Sequence, residues 1–185
     1  LKALDINMKS DNQNKSSIPE NYLLVGKTYA SMGNEEEAGR MFEKGLNFAM
    51  KEYETHAPRI AALYDEMGKL FCEQGRYEDA IICHEKGLGI RNKLFGPDHL
   101  ETANSYENIG YIYIYLGREK DSFENLQRCL TIREKELPKN DPAIGQVHKA
   151  LGEAHHTFGR PNDALVSYTI ALDILSKGLG EEHSE

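Results

Sequence analysis

No stretch of this chain approaches the roughly 18 consecutive apolar residues a helix needs to cross a bilayer. The opening LKALDINMKS has no apolar core of the kind a secretory leader carries. Membrane insertion is therefore not expected. Basic clusters are also missing. The 22 Lys and Arg are scattered among 30 Asp and Glu, for a net charge of −8, and no basic face for nucleic acid is visible. Cysteine is sparse. Cys72, Cys83 and Cys129 form no CxxC pair, which suits reduced thiols and a cytoplasmic location. No GxxxxGK[ST] phosphate loop occurs, no nucleophile sits beside a plausible base, and no set of four convergent N/S ligands for zinc can be assembled. No enzyme activity, cofactor or metal is expected.

What the chain does have is a period. Gly26, Gly68, Gly110 and Gly152 stand 42 residues apart, as do Gly33, Gly75, Gly117 and Gly159, and Ala38, Ala80, Ser122 and Ala164. Leu4, Leu46, Leu88, Leu130 and Leu172 keep the register from one end to the other without an insertion. Self-similarity at such a period means an array of supersecondary units stacked on one another.

Each unit reads as two helices. Expected pairs lie near 20–32 and 35–52, 58–74 and 77–94, 100–116 and 119–136, and 142–158 and 161–178. Asn34 is a candidate N-cap, with Glu35, Glu36 and Glu37 suiting the positive end of the helix dipole. Asp141-Pro142 and Pro161 mark helix starts. Residues 1–9 read as the tail of a preceding helix, 10–18 as a polar loop, and 179–185 as the lead into a further unit. The array divides as 1–18, 19–57, 58–99, 100–141, 142–178 and 179–185.

Apolar and aromatic residues recur at steps of three and four, on one helical face. The first helices carry Tyr22, Val25 and Tyr29; Tyr64, Met67 and Phe71; Tyr106, Ile109 and Tyr113; and His148, Leu151 and His155. A glycine inside a helix costs about 0.5–1 kcal/mol against alanine, so its recurrence at 26, 68, 110 and 152 implies another helix pressed close. The small residues Gly45, Gly87, Cys129 and Ala171 imply the same for contact with the next unit. His148 and His155 fall in slots filled elsewhere by Tyr or Phe. They read as packing residues more than as a metal pair with His156 and Glu153.

At Tyr64, Met67, Gly68, Phe71, Gly75, Ala80, His84 and Gly87 the chain resembles the tetratricopeptide repeat (TPR) family. The period of 42, in place of about 34, with linkers such as LFGPDHLETA, is similar to the kinesin-light-chain type. His84 and Leu126 depart from the family's aromatic, and Ser122 from its alanine. The resemblance implies an all-α, right-handed α-solenoid of helix–turn–helix repeats. It also implies a protein-binding scaffold or adaptor whose first helices line a concave groove for a peptide or helix of a partner. Groove residues are then Leu23 and Lys27; Asp65, Glu66 and Lys69; Asn104, Glu107, Asn108, Tyr111, Ile114 and Tyr115; and Lys149 and Glu153.

Family members that clamp a C-terminal carboxylate use Lys, Asn and Arg on successive first helices. Here Leu23, Glu66 and Asp65 occupy such positions, and an anionic tail would be repelled. The Tyr111, Ile114 and Tyr115 patch, flanked by Asp65, Glu66 and Glu107, instead suits a peptide with an apolar anchor and a basic residue. The alternative use of Tyr111 and Tyr115 is packing against a neighbouring first helix. The alternative role for the chain is a regulatory or ligand-sensing segment of a larger protein, acting by intramolecular contacts. Open ends of such an array expose apolar faces and favour self-association.

Overall fold

The glycines at 33, 75, 117 and 159 adopt φ between 68° and 77°, a left-handed conformation that side chains with a Cβ resist. After each one, the next residue donates its N–H to the carbonyl five positions back. Asn34 reaches Tyr29 (2.9 Å), Arg76 reaches Phe71 (2.8 Å), Arg118 reaches Tyr113 (2.9 Å) and Arg160 reaches His155 (2.8 Å). This Schellman closure satisfies the last carbonyls of one helix and turns the chain into the next.

The computed structural model describes the backbone of residues 17–182, and the side chains there apart from 52, 53, 55 and 178–182. Within those limits the protein is all-α. The helices are α1 (Ile18–Ser31), α2 (Glu35–Ala49), α3 (Tyr53–Glu73), α4 (Tyr77–Phe95), α5 (Leu100–Tyr115), α6 (Glu119–Glu136), α7 (Pro142–Thr157) and α8 (Pro161–Glu182). A 3₁₀ turn, Met50–Glu52, joins α2 to α3. Asn34 caps α2 by accepting from the Glu37 N–H (3.3 Å), and Asp141 caps α7 by accepting from Ala143 (2.8 Å).

Two boundaries differ from the sequence expectation. Helix α3 begins at Tyr53 instead of near 58, with Pro58 inside it. Pro58 removes one N–H donor from the ladder but sits at the surface, while His56 and Ala57 become buried in the extra turn. Helix α8 continues to Glu182 instead of ending near 178. Glu181 occupies the repeat position of Pro97, so no ring stops the helix there. The expected helix tail at 1–9, nearly all of the loop at 10–18 and the final residues 183–185 lie outside the described residues.

The chain forms two compact units, Leu1–Ile90 and Arg91–Glu185. In the first, Ala38, Phe42, Leu63 and Leu70 form one cluster, and Ala49, Ala57, Ile60, Ala61 and Ile90 a second. In the second unit, Leu126, Leu130, Ile132, Ile144, Val147, Leu151 and Ile174 share a single core.

The recurring helix-interior glycines have one job in both units. Each makes room for a side chain sixteen residues on, from the second helix of its own pair. A Cβ on Gly26 would overlap the Phe42 ring. One on Gly68 would lie 2.6 Å from His84 Nε2, one on Gly110 2.8 Å from Leu126, and one on Gly152 2.6 Å from Tyr168. At Gly45 the small slot behaves as expected too. A Cβ on Gly45 would lie 2.9 Å from Tyr22 Cβ and 3.2 Å from Leu63 Cδ2, so α2 is pressed between α1 and α3.

Candidate partner-binding surface

In the second unit, residues at i, i+3 and i+4 of α5 (Tyr111, Ile114 and Tyr115) and the same spacing of α7 (Glu153, His156 and Thr157) face one cavity of about 190 Å³. Helix periodicity explains why those triplets share a side. Tyr168 of α8 completes the lining. Ile114 is only 8% exposed and belongs to the core, so it forms the cavity floor. Tyr111 is half-buried against that core, whereas Tyr115 is 67% exposed. Tyr111 thus leans on the core yet still lines the cavity, and Tyr115 stands exposed beside it.

Burial pushes the Tyr111 phenol well above its ordinary value, and the Glu153 and Glu107 carboxylates, with Tyr115 and Tyr168, add to the effect. Tyr168 is pushed the same way, by burial and then by Glu153. Both phenols remain neutral donors at physiological pH. Glu153 pairs with Lys149 at 3.6 Å, with both side chains more than a third exposed. Such a pair contributes about 0–1 kcal/mol and is easily exchanged.

The other nominated residues of this unit are differently employed. Arg133 of α6 holds two of them. Its Nη1 donates to Glu107 Oε1 (3.1 Å) and to the Ala143 carbonyl (2.9 Å), and its Nη2 to Glu107 Oε2 (2.7 Å) and Asn104 Oδ1 (2.8 Å). A guanidinium fork matched to a carboxylate gives strong, directional hydrogen bonds. Glu107 and Asn104 are thus tied into the unit's own structure. Asn108 is half-buried on α5, and Ala150 of α7 is fully buried.

In the first unit Leu23 packs against the core cluster. Glu66 receives two lysines, Lys69 at 2.9 Å and Lys27 at 3.5 Å. Asp65 accepts from His84, whose Nδ1 lies 3.1 Å from its Oδ1. A carboxylate only accepts, so that nitrogen carries the proton. The carboxylates expected to flank a basic ligand are each engaged within their own unit.

Arg133 and Tyr168 escaped the sequence reading. Arg133 and Arg91 share a repeat slot filled by Ala49 and Leu175 in the other units. A charged residue recurring in an otherwise apolar slot was the available signal. Arg91 is buried as well, and its Nη1 donates to Ser105 Oγ at 2.9 Å. Tyr168 was legible as the fourth residue facing a recurring glycine. His155 packs its ring on Phe123, centroids 4.6 Å apart, and burial lowers the pKa of His148. Both occupy packing slots. No helix among the described residues is long and apolar enough to cross a membrane.

Glycine-closed helix pairs on a 42-residue period, with side chains presented from the first helix of a pair, define a helical-repeat scaffold of the protein-interaction class. The tetratricopeptide repeat model matches residues 17–93, 59–135 and 108–177, and the chain belongs to that family. Its members are in general non-catalytic scaffolds.

Solved structures share the fold. BtubC (BKLC) from P. vanneervenii superposes with a TM-score of 0.83 at 20% identity, over 97% of this chain and 71% of that one. The nearly identical TPR-like repeats of a Podosopora anserina protein named for the kinesin light chain give 0.78 at 19% identity, over 96% and 84%. The apo form of RapI gives 0.79 at 22%, over 97% of this chain and 62% of that one. No curated protein matches the chain.

Proposed function

We propose that this chain is a cytoplasmic scaffold or adaptor that binds a peptide or helix of a partner protein on the side where α5 and α7 present Tyr111, Tyr115 and Glu153. The observation that carries the reading is the cavity itself. It joins a half-buried tyrosine, a 67% exposed tyrosine and a carboxylate over an apolar floor. Aromatic residues bind well because they cover much area with little conformational freedom to lose. The repeat division proposed with it is 19–57, 58–99, 100–141 and 142–178, its first boundary lying inside α3 and its last inside α8, and three unpaired cysteines suit a reducing compartment.

A peptide-display screen against the full chain tests this, with Tyr111→Ala/Tyr115→Ala as the comparison. Selected peptides should lose at least about tenfold in affinity for the variant. Peptides that bind both forms equally would place the binding surface elsewhere and remove the reading.

A further inference from the structure

We propose that the cavity bounded by Tyr111, Tyr115, Tyr168 and Glu153 receives a single cationic side chain of the partner, arginine ahead of lysine. This rests on the partner-binding reading above and adds the chemistry of the residue that is read.

Size comes first. At about 190 Å³ the cavity is smaller than the roughly 300–1,000 Å³ typical of pockets for drug-sized ligands. It suits one long side chain better than a ring system or a whole cofactor.

Electrostatics come second. Glu153 is the one carboxylate in the lining, and neither Lys nor Arg lines it. The charged groups nearby are Glu107, engaged by Arg133, and Lys149, held to Glu153 across 3.6 Å at the surface. Burial is the main reason the Tyr111 phenol resists ionisation, and the Glu153 and Glu107 carboxylates add to it. Those two carboxylates, unlike burial, oppose a further negative charge and attract an ammonium or guanidinium.

The rest of the protein supplies a third argument. Aromatic faces elsewhere carry a cation from the chain itself. Arg76 lies 4.2 Å from the Phe71 centroid, Arg118 4.7 Å from Tyr113, Arg160 5.4 Å from Phe123 and Lys86 5.3 Å from Tyr64. Two further open cavities among the described residues each have a basic residue in their walls, Lys86 in one and Arg128 in the other. Three tyrosines and a carboxylate meet here with neither lysine nor arginine in the wall, His156 being the one imidazole in it, and cation–π attraction supplements the ionic contact. Arginine leads because its planar fork both stacks on an aromatic ring and meets a carboxylate with two parallel N–H bonds.

The test uses the ¹⁵N-labelled full chain, titrated with N-acetyl-arginine amide, its lysine counterpart, the neutral isostere citrulline and N-acetyl-leucine amide. The arginine probe should shift the backbone signals of Tyr111, Tyr115, Glu153 and Tyr168 saturably. Citrulline should bind about tenfold more weakly, and Glu153→Gln should weaken arginine by a similar factor while leaving the circular dichroism unchanged. Citrulline or leucine binding as well as arginine would overturn the proposal while leaving an apolar-anchor form of partner binding intact. No shift at the cavity with any probe would also overturn it, and the display screen would then decide separately whether this surface binds partners.

Discussion

Arg133 offers the sharpest stability test. Its side chain is 7% exposed and that of its partner Glu107 18%. It makes four hydrogen bonds, to Glu107 twice, Asn104 and the Ala143 carbonyl, linking α5 and α6 to the first turn of α7. Arg133→Ala strips the fork and leaves Glu107 charged in a largely dry setting. Removing one partner of a fully buried pair costs about 3–5 kcal/mol. Water reaches the exposed edge of Glu107, so about 2–4 kcal/mol is expected here. At roughly 2–4 °C per kcal/mol for a chain of this size, the melting temperature should fall by about 5–15 °C.

Urea unfolding followed by circular dichroism is the assay, and Arg133→Lys should fall between wild type and Arg133→Ala. The double variant Arg133→Met/Glu107→Leu should recover most of the loss, because the uncompensated charge disappears with its partner. A loss under about 0.5 kcal/mol for Arg133→Ala, or strictly additive effects in the double-mutant cycle, would refute the view that this ion pair holds the second unit together.

Four further outcomes can be checked alongside it. Gly110→Ala should destabilise by about 1–3 kcal/mol, because the new methyl would lie 2.8 Å from Leu126. Gly89→Ala, exposed within α4 with nothing within 4 Å, should stabilise by about 0.5–1 kcal/mol in the same urea assay. Burial pushes the Cys129 thiol up to about 12, so mass spectrometry after brief iodoacetamide treatment at pH 8 should find half-buried Cys72 alkylated before Cys83 and Cys129. Finally, Tyr111 and Tyr168 have raised folded-state pKa values against an ordinary 10. The unfolded chain loses those protons first, so stability is full below about pH 10 and falls as pH rises through that value. The urea midpoint should hold up to about pH 10 and drop above it, and drop less in Tyr111→Phe.

Much of the architecture is legible because the period never slips. The left-handed glycines at 33, 75, 117 and 159, the cap at Asn34 and the glycines beneath Phe42 and Leu126 all rest on local geometry that a repeated residue type betrays. The surface is only partly legible. Helical spacing places Tyr111, Ile114, Tyr115 and Glu153 around one cavity. It does not say which polar groups on that side are already satisfied. Glu107 and Arg133 are 26 residues apart on different helices, and their pairing depends on side-chain reach across the packing interface. The early start of α3 is hidden for a related reason. Proline reads as a helix start, and burial of Ala57 decides otherwise.

The glycine-lined hollows have a consequence for how such a chain finds its native pairing. Repeats that look alike can dock with the wrong neighbour, a characteristic failure of repetitive proteins. Here every hollow has the same shape in the backbone but a different plug: Phe42, His84, Leu126 and Tyr168. The plugs differ in what they require beside them. His84 needs the acceptor on Asp65, and the same repeat position holds Leu23 in α1 and Lys149 in α7. A histidine docked against either would be sealed away from water with no acceptor, at a cost of about 1–3 kcal/mol. The histidine plug thus fits only a socket that offers an acceptor, and its misdocking onto α1 or α7 is penalised while the array assembles.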